Sequence, residues 1–376
     1  MNYQEINAKA IDRWVEEGWE WGVPIDHETY EKAKNGDWNV LLTPTVPVPH
    51  DWFGPLRGKK VLGLASGGGQ QMPIFAALGA DCTVLDYSDA QLESERLVSE
   101  REGYAIAIVK ADMTKPLPFS DASFDLIFHP VSNCYVREVK PIFKECFRVL
   151  KPGGALLSGL DNGINFLFDG EDETTVVNSL PFDPLKNPEQ MEQLMRGDLA
   201  VEFSHTAEEQ IGGQLEAGFI LTHLYEDTNG EGRLHELHIP SFFATRARKP
   251  GIDEACIAAF WRDVLDQDRE ALPKWFTPDA EVFWHCTNER FTADEFIRVN
   301  CAYPGAWDGE IERIEPTANG FVTAVRVFSK TGETVCRVTS FFTLQNDRIK
   351  RLDEYWADDG PAPDWRKSMR IGRPIR

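Results

Sequence analysis

The stretch KVLGLASGGGQQ, residues 60–71, decides the fold of the first part of this chain. It begins as a short apolar run and turns through three glycines directly into a sequence that predicts a helix. Glycine lets the backbone approach a ligand closely, and the free N–H groups at a helix start bind the polar end of that ligand. Alone this is a weak signal, because a tight strand-to-helix turn has the same composition.

Around this turn, apolar runs alternate with amphipathic stretches from residue 59 to about residue 159, which predicts a parallel sheet covered by helices. The predicted strands are 60–65, 82–86, 105–109, 124–128 and 155–158. The predicted helices between them are 72–78, 89–101 and 139–150. Thr206 and Glu209 form a capping box for a helix that ends at Ala217, and two more strands at 219–225 and 237–246 complete the sheet.

Residues 161–200 are less regular and contain the acidic run 169–173 together with several prolines. An excursion of this length inside a compact domain is usually a lid or a disordered loop. The acidic run is able to attract a cationic acceptor, although such a run is more often a solvated face.

Acidic side chains follow two of the predicted strands. Asp86 closes the second strand, where a carboxylate accepts hydrogen bonds from both hydroxyls of a ribose, and Asp112-Met113 ends the third. These positions and the glycine turn all lie at carboxyl ends of strands, the edge at which open α/β sheets bind ligands. The alternative for Asp86 is a helix N-cap, a role that Ser88 fills equally well.

Two further motifs, FDLIF at 124–128 and LKPGG at 150–154, carry a family resemblance. With them, the chain resembles the class I S-adenosylmethionine-dependent methyltransferases of the small-molecule type. The resemblance is strong over 55–160 and looser over 1–250. It implies a Rossmann-like, seven-stranded sheet whose last strand is antiparallel, in a domain of residues 1–250 that begins with a helical cap of residues 1–55.

The resemblance also implies the cofactor, S-adenosylmethionine, and the side chains that hold it. The turn would bind its methionine part, Asp86 its ribose, and Asp112 with Met113 its adenine. The complete set of cofactor-binding residues that it implies is Ala65, Ser66, Gly67, Gly69, Gln70, Gln71, Asp86, Tyr87, Ser88, Asp112, Met113 and His129.

The first strand departs from the family pattern at two positions. Gly63 stands where the family usually has an acidic residue, and Ala65 where it has glycine. Gln70 or Gln71 would then hydrogen-bond the amino group of the cofactor. A nicotinamide dehydrogenase is the alternative for a glycine turn of this kind, but its pattern requires glycine or alanine at the position of Met72.

Methyl transfer requires alignment of the acceptor and removal of a proton where the acceptor carries one. His129 and Asn133, after the fourth strand, are the candidate catalytic residues: His129 as the base or as a positioning donor, and Asn133 to orient an acceptor nitrogen. Cys134 as a nucleophile is disfavoured, because nothing basic lies beside it, and Tyr135 is equally a core aromatic. We expect no metal site.

The N-terminal region is rich in aromatic residues: Trp14, Trp19, Trp21, Tyr30 and Trp38. Aromatic faces over the cofactor would suit a sulfonium or an amine through cation–π contact. The alternative is simple packing of an amphipathic helix on the sheet, which we favour for Trp14 and Trp21.

A second domain, residues 251–376, is predicted after a Pro-Gly linker at 248–251. Its predicted helices are 253–266 and 268–276, and its strands 280–286, 310–316, 320–328, 333–344 and 348–356. Through Phe260–Arg262, Trp275–Ala280 and Tyr355–Gly360 it resembles the nuclear-transport-factor-2-like, polyketide-cyclase-like family, whose α+β fold is a cone-shaped curved sheet.

That second fold hosts enzymes, binders and dimerisation modules alike. Trp284, His285, Asp353 and Tyr355 are strand residues able to face its cavity, although at most one of Trp284 and His285 points inward. Ligand binding or pairing of two copies is favoured over an isomerase or hydratase built on His285 and Asp353. Such domains commonly pair, so we expect a homodimer.

The 61 acidic against 39 basic residues give a net charge of −22, which disfavours nucleic acid and anionic membranes as partners. Seven scattered cysteines and the absence of a signal-like or membrane-spanning stretch predict a cytoplasmic location. We therefore expect S-adenosylmethionine-dependent methyl transfer to the nitrogen, oxygen or sulfur of a small neutral or cationic molecule. The alternatives are a cofactor-binding scaffold without turnover and a bifunctional enzyme with an active second domain.

Overall fold

The computed structural model describes residues 2–168, 173–197, 199–317, 319–332, 334–345 and 347–373. The chain divides into two compact units, Met1–Pro250 and Gly251–Arg376. In the described part of the chain, no helix is both long enough and apolar enough to cross a membrane.

The first unit is a seven-stranded sheet covered by helices. Its strands are β1 Lys60–Leu64, β2 Asp81–Asp86, β3 Ile106–Lys110, β4 Phe124–His129, β5 Leu150–Asp161, β6 Ile220–Asp227 and β7 Phe242–Arg248. Its α-helices are α1 Tyr3–Glu16, α2 His27–Lys34, α3 Gln71–Ala77, α4 Asp89–Glu102, α5 Lys140–Val149, α6 Pro188–Arg196, α7 Gly213–Glu216 and α8 Gly232–Glu236.

The strand order is β3-β2-β1-β4-β5-β7-β6. The pairs from β3 to β5 are parallel, and β7 runs antiparallel to both of its neighbours. This confirms the Rossmann-like, seven-stranded sheet with an antiparallel last strand. Because β1 is the middle one of the five parallel strands, the turn that follows it opens at the middle of their carboxyl edge.

Two apolar layers hold the helices on this sheet. Val61 packs with Phe75 of α3 on one face, and Leu62 packs with Phe143 of α5 on the other. Successive strand residues point to opposite faces, so an unbroken apolar run is what a strand buried on both sides requires. At roughly 25 cal/mol per Å² of apolar surface removed from water, this double burial dominates the stability of the unit.

Several predicted boundaries in the first unit are wrong. The strand predicted at 237–246 begins at Phe242, because the chain first forms the short helix α8. The fifth strand extends well beyond 155–158. The capping box of Thr206 and Glu209 is present, but Glu208–Gly212 is a π-helical turn before α7.

In the irregular segment 161–200 the structure places a 3₁₀ turn at Ile164–Leu167 and the helix α6. Residues 169–172 of the acidic run lie outside the described residues. The Glu173 carboxylate accepts a hydrogen bond from the Leu234 N–H at 2.6 Å, so it ties the segment to the start of α8.

The second unit is a six-stranded sheet with helices. It contains α9 Glu254–Leu265, α10 Ala293–Ala302, α11 Asp364–Ser368, and the strands β8 Phe276–Trp284, β9 Glu289–Thr292, β10 Trp307–Thr317, β11 Gly320–Ser329, β12 Val335–Gln345 and β13 Arg348–Asp358. The strand order is β10-β11-β12-β13-β8-β9, with only the β13–β8 pair parallel. The α+β class predicted for this region is confirmed.

The helix predicted at 268–276 is wrong. Only the 3₁₀ turn Leu272–Trp275 forms there, and β8 starts directly after it. Pro273 lacks the backbone N–H that a longer helix would need at this position. The side chain of Trp275 is held by a hydrogen bond from its Nε1 to the Asp263 carboxylate. The prediction also missed β9 and α10, although Thr292 and Glu295 make a complete capping box at the start of α10.

Candidate active site

A cavity of about 380 Å³ lies at the carboxyl ends of β1 to β5. Ten of the predicted cofactor-binding residues line it: Ala65, Ser66, Gly67, Gln70, Gln71, Asp86, Tyr87, Ser88, Asp112 and Met113. We call this part of the lining the nucleotide end. The acceptor end is the part formed by Thr43, Cys134, Tyr135, Asp161, Asn165, Phe166, Glu202 and Phe242.

The glycine turn brings backbone to the nucleotide end. A Cβ at Gly67 would lie 2.6 Å from the Gln91 Cβ and 3.0 Å from Asp86 Oδ2, so a side chain does not fit there. Ala65 has φ +47°, a left-handed conformation that costs a non-glycine residue about 1–2 kcal/mol. The turn therefore retains the geometry of the family's glycine at a position where this chain has alanine.

Gly63 shows why the usual acidic residue is absent. A Cβ built at Gly63 would lie 2.8 Å from Met72 Sδ, so the methionine of α3 fills the space of that side chain. Both predicted substitutes line the cavity. The Gln70 amide donates to the carbonyls of Glu20 and Val23, and Gln71 Oε1 accepts from Ser66 Oγ.

Asp86 is fixed by backbone hydrogen bonds. Its carboxylate accepts from the N–H groups of Gly67 at 3.0 Å, Tyr87 at 2.7 Å and Ser88 at 3.1 Å. Burial raises the pKa of Asp86, and these three N–H groups oppose that rise. Oδ1 accepts two of these hydrogen bonds and Oδ2 accepts one, so one acceptor site of the carboxylate, on Oδ2, remains for a ribose hydroxyl.

Ser88 has a structural role as well as a place in the lining. Its hydroxyl caps α4 by accepting from the Gln91 N–H and donates to Asp12 at 2.6 Å. Gln91 also lines the cavity, and its buried Oε1 has no hydrogen-bond partner among the residues described. An unsatisfied buried acceptor at this place suits a polar group of a bound ligand.

Beyond β3, Asp112 and Met113 form the outer wall of the nucleotide end. Asp112 Oδ1 accepts from the Thr114 N–H at 2.8 Å, which leaves Oδ2 available to a ligand. Trp19 and Trp21 of the N-terminal region also line the cavity. The ring of Trp14 contacts that of Trp19, with centroids 5.5 Å apart, and is not part of the lining, which fits the packing role favoured for it. Trp21, for which packing was also favoured, lines the cavity.

Three predicted site residues do not line the cavity, and their assignments need correction. The Gly69 N–H donates to Glu95 beneath the turn. His129 is 2% exposed, and its Nδ1 donates to the Leu64 carbonyl at 2.9 Å, so it joins β4 to β1. Burial lowers the pKa of His129, but a ring outside the cavity is not positioned to act on an acceptor.

Asn133 is likewise a supporting residue. Its side chain donates to Gln210 at 2.6 Å and accepts from the Asp161 N–H at 3.0 Å. Because all of these groups are buried, Asn133 fixes the end of β5 instead of orienting an acceptor.

Sequence reasoning missed Asp161 and Glu202, two acidic residues of the acceptor end. Burial raises the pKa of Asp161 to about 6 and that of Glu202 to about 8, and Asp161 contributes to the second shift. Asp161 ends β5, so the strand-end rule was able to find it. Glu202 lies in an irregular segment that carries no such signal.

In the second unit, Trp284 and His285 point to opposite faces of the sheet. Trp284 packs on Phe296 of α10, on the helix-covered face. His285 Nε2 lies 2.8 Å from Asp353 Oδ1, and the ring stacks on Tyr355 at 4.5 Å. The predicted acid–base pair exists, but it lies on the face opposite the apolar core.

A parallel sheet with strand order 3-2-1-4-5-7-6, an antiparallel seventh strand and a carboxyl-edge cavity defines the class I methyltransferase fold. The methyltransferase-domain family model matches residues 62–158. An uncharacterized methyltransferase, YbaJ of Bacillus subtilis, is 47% identical over 249 residues, which are 65% of this chain and 97% of that protein. The chain belongs to the S-adenosylmethionine-dependent methyltransferase family, and S-adenosylmethionine is its cofactor.

Other relatives match over shorter parts. A demethylmenaquinone methyltransferase of Clavibacter sepedonicus is 34% identical over 122 residues, 32% of this chain and 45% of that protein. A sterol 24-C-methyltransferase of Aspergillus fumigatus is 35% identical over 105 residues, 27% of this chain and 28% of that protein. The crystal structure of an S-adenosylmethionine-dependent methyltransferase from Mesorhizobium loti has a TM-score of 0.42 at 20% identity, covering 53% of this chain and 94% of that one.

Proposed function

We propose that this methyltransferase acts on a small-molecule acceptor, with the cofactor at the nucleotide end of the cavity and the acceptor at the acceptor end. Asp86 would hold the ribose, Asp112 and Met113 the adenine, and the turn at 65–67 the methionine part. The observation that carries the proposal is one cavity lined by residues from the carboxyl ends of β3, β2, β1, β4 and β5. The residues of the nucleotide end follow β1, β2 and β3, whereas Asp161 of the acceptor end closes β5.

The size and charge of the site support a small acceptor. A cavity of about 380 Å³ is in the range of small-molecule sites. Two of the relatives named above carry the names of small molecules, a menaquinone precursor and a sterol. A net charge of −22 disfavours a nucleic-acid acceptor.

Isothermal titration of the full chain with S-adenosylmethionine, S-adenosylhomocysteine and NAD tests the cofactor residues. We expect both sulfur compounds to bind and NAD not to bind. Asp86→Ala should weaken the binding of both sulfur compounds by about a hundredfold, because a buried ribose hydroxyl would lose its acceptor. Asp81→Ala, an exposed position at the other end of β2, is the control and should leave the affinity unchanged. Equal affinities for both variants would contradict the assignment of Asp86.

For the second unit we propose a nuclear-transport-factor-2-like domain through which two copies of the chain pair. The sheet face that carries His285 also exposes Phe341 and Tyr355, each 45% accessible, and Arg351 lies over Phe283 at 4.1 Å. Large aromatic groups on an open sheet face suit an interface. Sedimentation of the full chain as a monomer at micromolar concentration would contradict this.

We also propose that the protein works in the cytoplasm. Its seven cysteines are unpaired, and Cys82, Cys134 and Cys146 are buried thiols, which suits a reducing compartment. Fractionation of the source cells is the direct test.

A further inference from the structure

Glu202 is aimed into the cavity by the backbone on both sides of it. The Val201 N–H donates to Asn7 Oδ1 at 2.7 Å, and Asn7 Nδ2 returns a hydrogen bond to the Val201 carbonyl at 2.9 Å. The Phe203 N–H donates to the Cys134 carbonyl at 2.7 Å. Val201 and Phe203 are both buried in the core, so the residue between them presents its side chain to the acceptor end.

The Glu202 carboxyl has no hydrogen-bond partner among the residues that the structure describes. Its side chain is partly buried and opens into the cavity, and a carboxyl withdrawn from bulk water in this way usually has a hydrogen-bond or ionic partner. Burial raises its pKa to about 8, with the neighbouring Asp161 as the second cause. A carboxyl group that has a raised pKa, lines a cavity and has no partner is a candidate ligand-binding group.

Asp161 supplies a second carboxyl at the same end. It accepts from the Gly163 N–H at 2.6 Å and from Asn165 Nδ2 at 3.1 Å, and these contacts fix its orientation. Its pKa is raised to about 6, below the value of about 8 for Glu202, so Asp161 is the first of the two to ionise as pH rises. With Asp161 ionised and Glu202 protonated, the two groups carry one negative charge between them.

The position of this acid pair separates it from the cofactor. Asp86 and Asp161 are the last residues of β2 and β5, which are three strand positions apart, or roughly 14 Å. Asp161 therefore lies beyond the ribose position, on the side where Phe166 and Phe242 also line the cavity. One negative charge beside aromatic walls suits a cation that carries an apolar group.

The geometry points to an amine as the acceptor, bound as its ammonium form between Asp161 and Glu202, with Phe166 and Phe242 against its apolar part. This inference rests on the proposed function. The ionised carboxylate takes one proton from the ammonium group. The nitrogen lone pair then forms the C–N bond to the methyl carbon while the C–S bond breaks and its electron pair goes to sulfur. The methylated nitrogen carries the positive charge, and the carboxyl later gives its proton to water.

The test compares matched amines and alcohols on the full chain loaded with S-adenosylhomocysteine. Cyclohexylamine and cyclohexanol, benzylamine and benzyl alcohol, and phenethylamine and phenethyl alcohol are titrated calorimetrically. Each compound is also incubated with radiolabelled S-adenosylmethionine and assayed for methyl transfer. We expect at least one amine to bind at least about tenfold more tightly than its alcohol and to be methylated, because the charge-assisted hydrogen bonds require the ammonium.

Asp161→Asn, which removes the ionised carboxylate, should remove that preference and lower methyl transfer by about a hundredfold or more, with S-adenosylhomocysteine affinity unchanged. Glu202→Gln is the second variant and should lower both by a smaller factor, because glutamine resembles the protonated carboxyl, and Glu208→Gln, an exposed glutamate in the same segment, is the control. The inference is overturned if alcohols bind as well as amines, if no amine binds, or if both variants keep the preference. Failure of the wild type to bind either sulfur compound would instead overturn the proposed cofactor site.

Discussion

Two glutamates with a raised pKa, Glu202 in the first unit and Glu354 in the second, differ in their hydrogen-bond partners. Glu354 on β13 accepts hydrogen bonds from Trp284 Nε1 at 2.7 Å, Ser340 Oγ at 3.0 Å and Trp356 Nε1 at 3.2 Å. Glu202 has no such partner among the described residues and faces a cavity. Burial raises the pKa of both groups.

The difference teaches that a perturbed acid is not by itself a functional one. Glu354 is 2% exposed, and side chains of its own sheet supply its hydrogen bonds, so its role is to stabilise the fold. Glu202 is held in place by backbone contacts, yet its carboxyl is left for something else. The hydrogen-bond partners distinguish the two glutamates, whereas the raised pKa that they share does not.

The largest expected effect is on stability and comes from removing the Glu354 carboxylate, which accepts three side-chain hydrogen bonds. Glu354→Ala should lower the free energy of unfolding by about 3 kcal/mol, because two indole N–H groups and a hydroxyl lose their acceptor. Glu354→Gln keeps an acceptor oxygen and should cost less. Urea unfolding of the full chain measures both, and a loss below about 1 kcal/mol for alanine would erase the contrast with Glu202.

The second effect has the opposite sign and depends on pH. The ordinary pKa of 4.5 applies to Glu202 in the unfolded chain, against about 8 in the folded chain. A raised carboxyl pKa means that the folded state loses stability as pH rises from 4.5 to 8, and glutamine escapes that loss. The free energy of unfolding of Glu202→Gln should therefore equal that of the wild type at pH 4 and exceed it by roughly 2 kcal/mol at pH 9. This difference is smaller than the full pKa shift implies, because solvent in the cavity screens the carboxylate charge.

Unfolding midpoints measured from pH 4 to pH 9 check this, with Glu208→Gln as the exposed control. A pH-independent difference between Glu202→Gln and the wild type would mean that the carboxyl is hydrated and ordinary.

The smallest expected effect concerns the turn at the nucleotide end. Ala65→Gly relieves the left-handed strain, partly offset by greater freedom in the unfolded chain, and should raise the free energy of unfolding by about 0.5 kcal/mol. The same change at Ala76, in α3, should lower it, because glycine disfavours helix. Thermal unfolding compares them, and a loss of stability at both positions would show that Ala65 is unstrained.

Much of the nucleotide end was predictable because it follows a local rule. Asp86 ends β2 and Asp112 comes two residues after β3, and parallel strands bring their carboxyl ends to one edge. His129 obeys the same rule and still lies outside the lining, because its ring turns toward the Leu64 carbonyl of the neighbouring strand. The end of a strand fixes the backbone position of a residue but not the direction of its side chain.

The second unit shows the same limit. Alternation along β8 correctly separated Trp284 from His285, since successive strand residues face opposite ways. Which of the two faces receives the helices was not predictable. That choice depends on the packing of Trp284 against Phe296, contributed by a helix that the prediction missed.

The sequence by itself determined the class of fold, the methyltransferase family and the strand ends that form the nucleotide end, because periodicity, turn glycines and strand-end carboxylates are encoded locally. Only the tertiary structure decided that Gly69, His129 and Asn133 support the site from outside and that Asp161 and Glu202 line the same cavity. The physical reason is that the two neighbours of Glu202 are fixed by residues distant in sequence: the Val201 N–H donates to Asn7, and the Phe203 N–H donates to the Cys134 carbonyl. No pattern within its own segment records those partners.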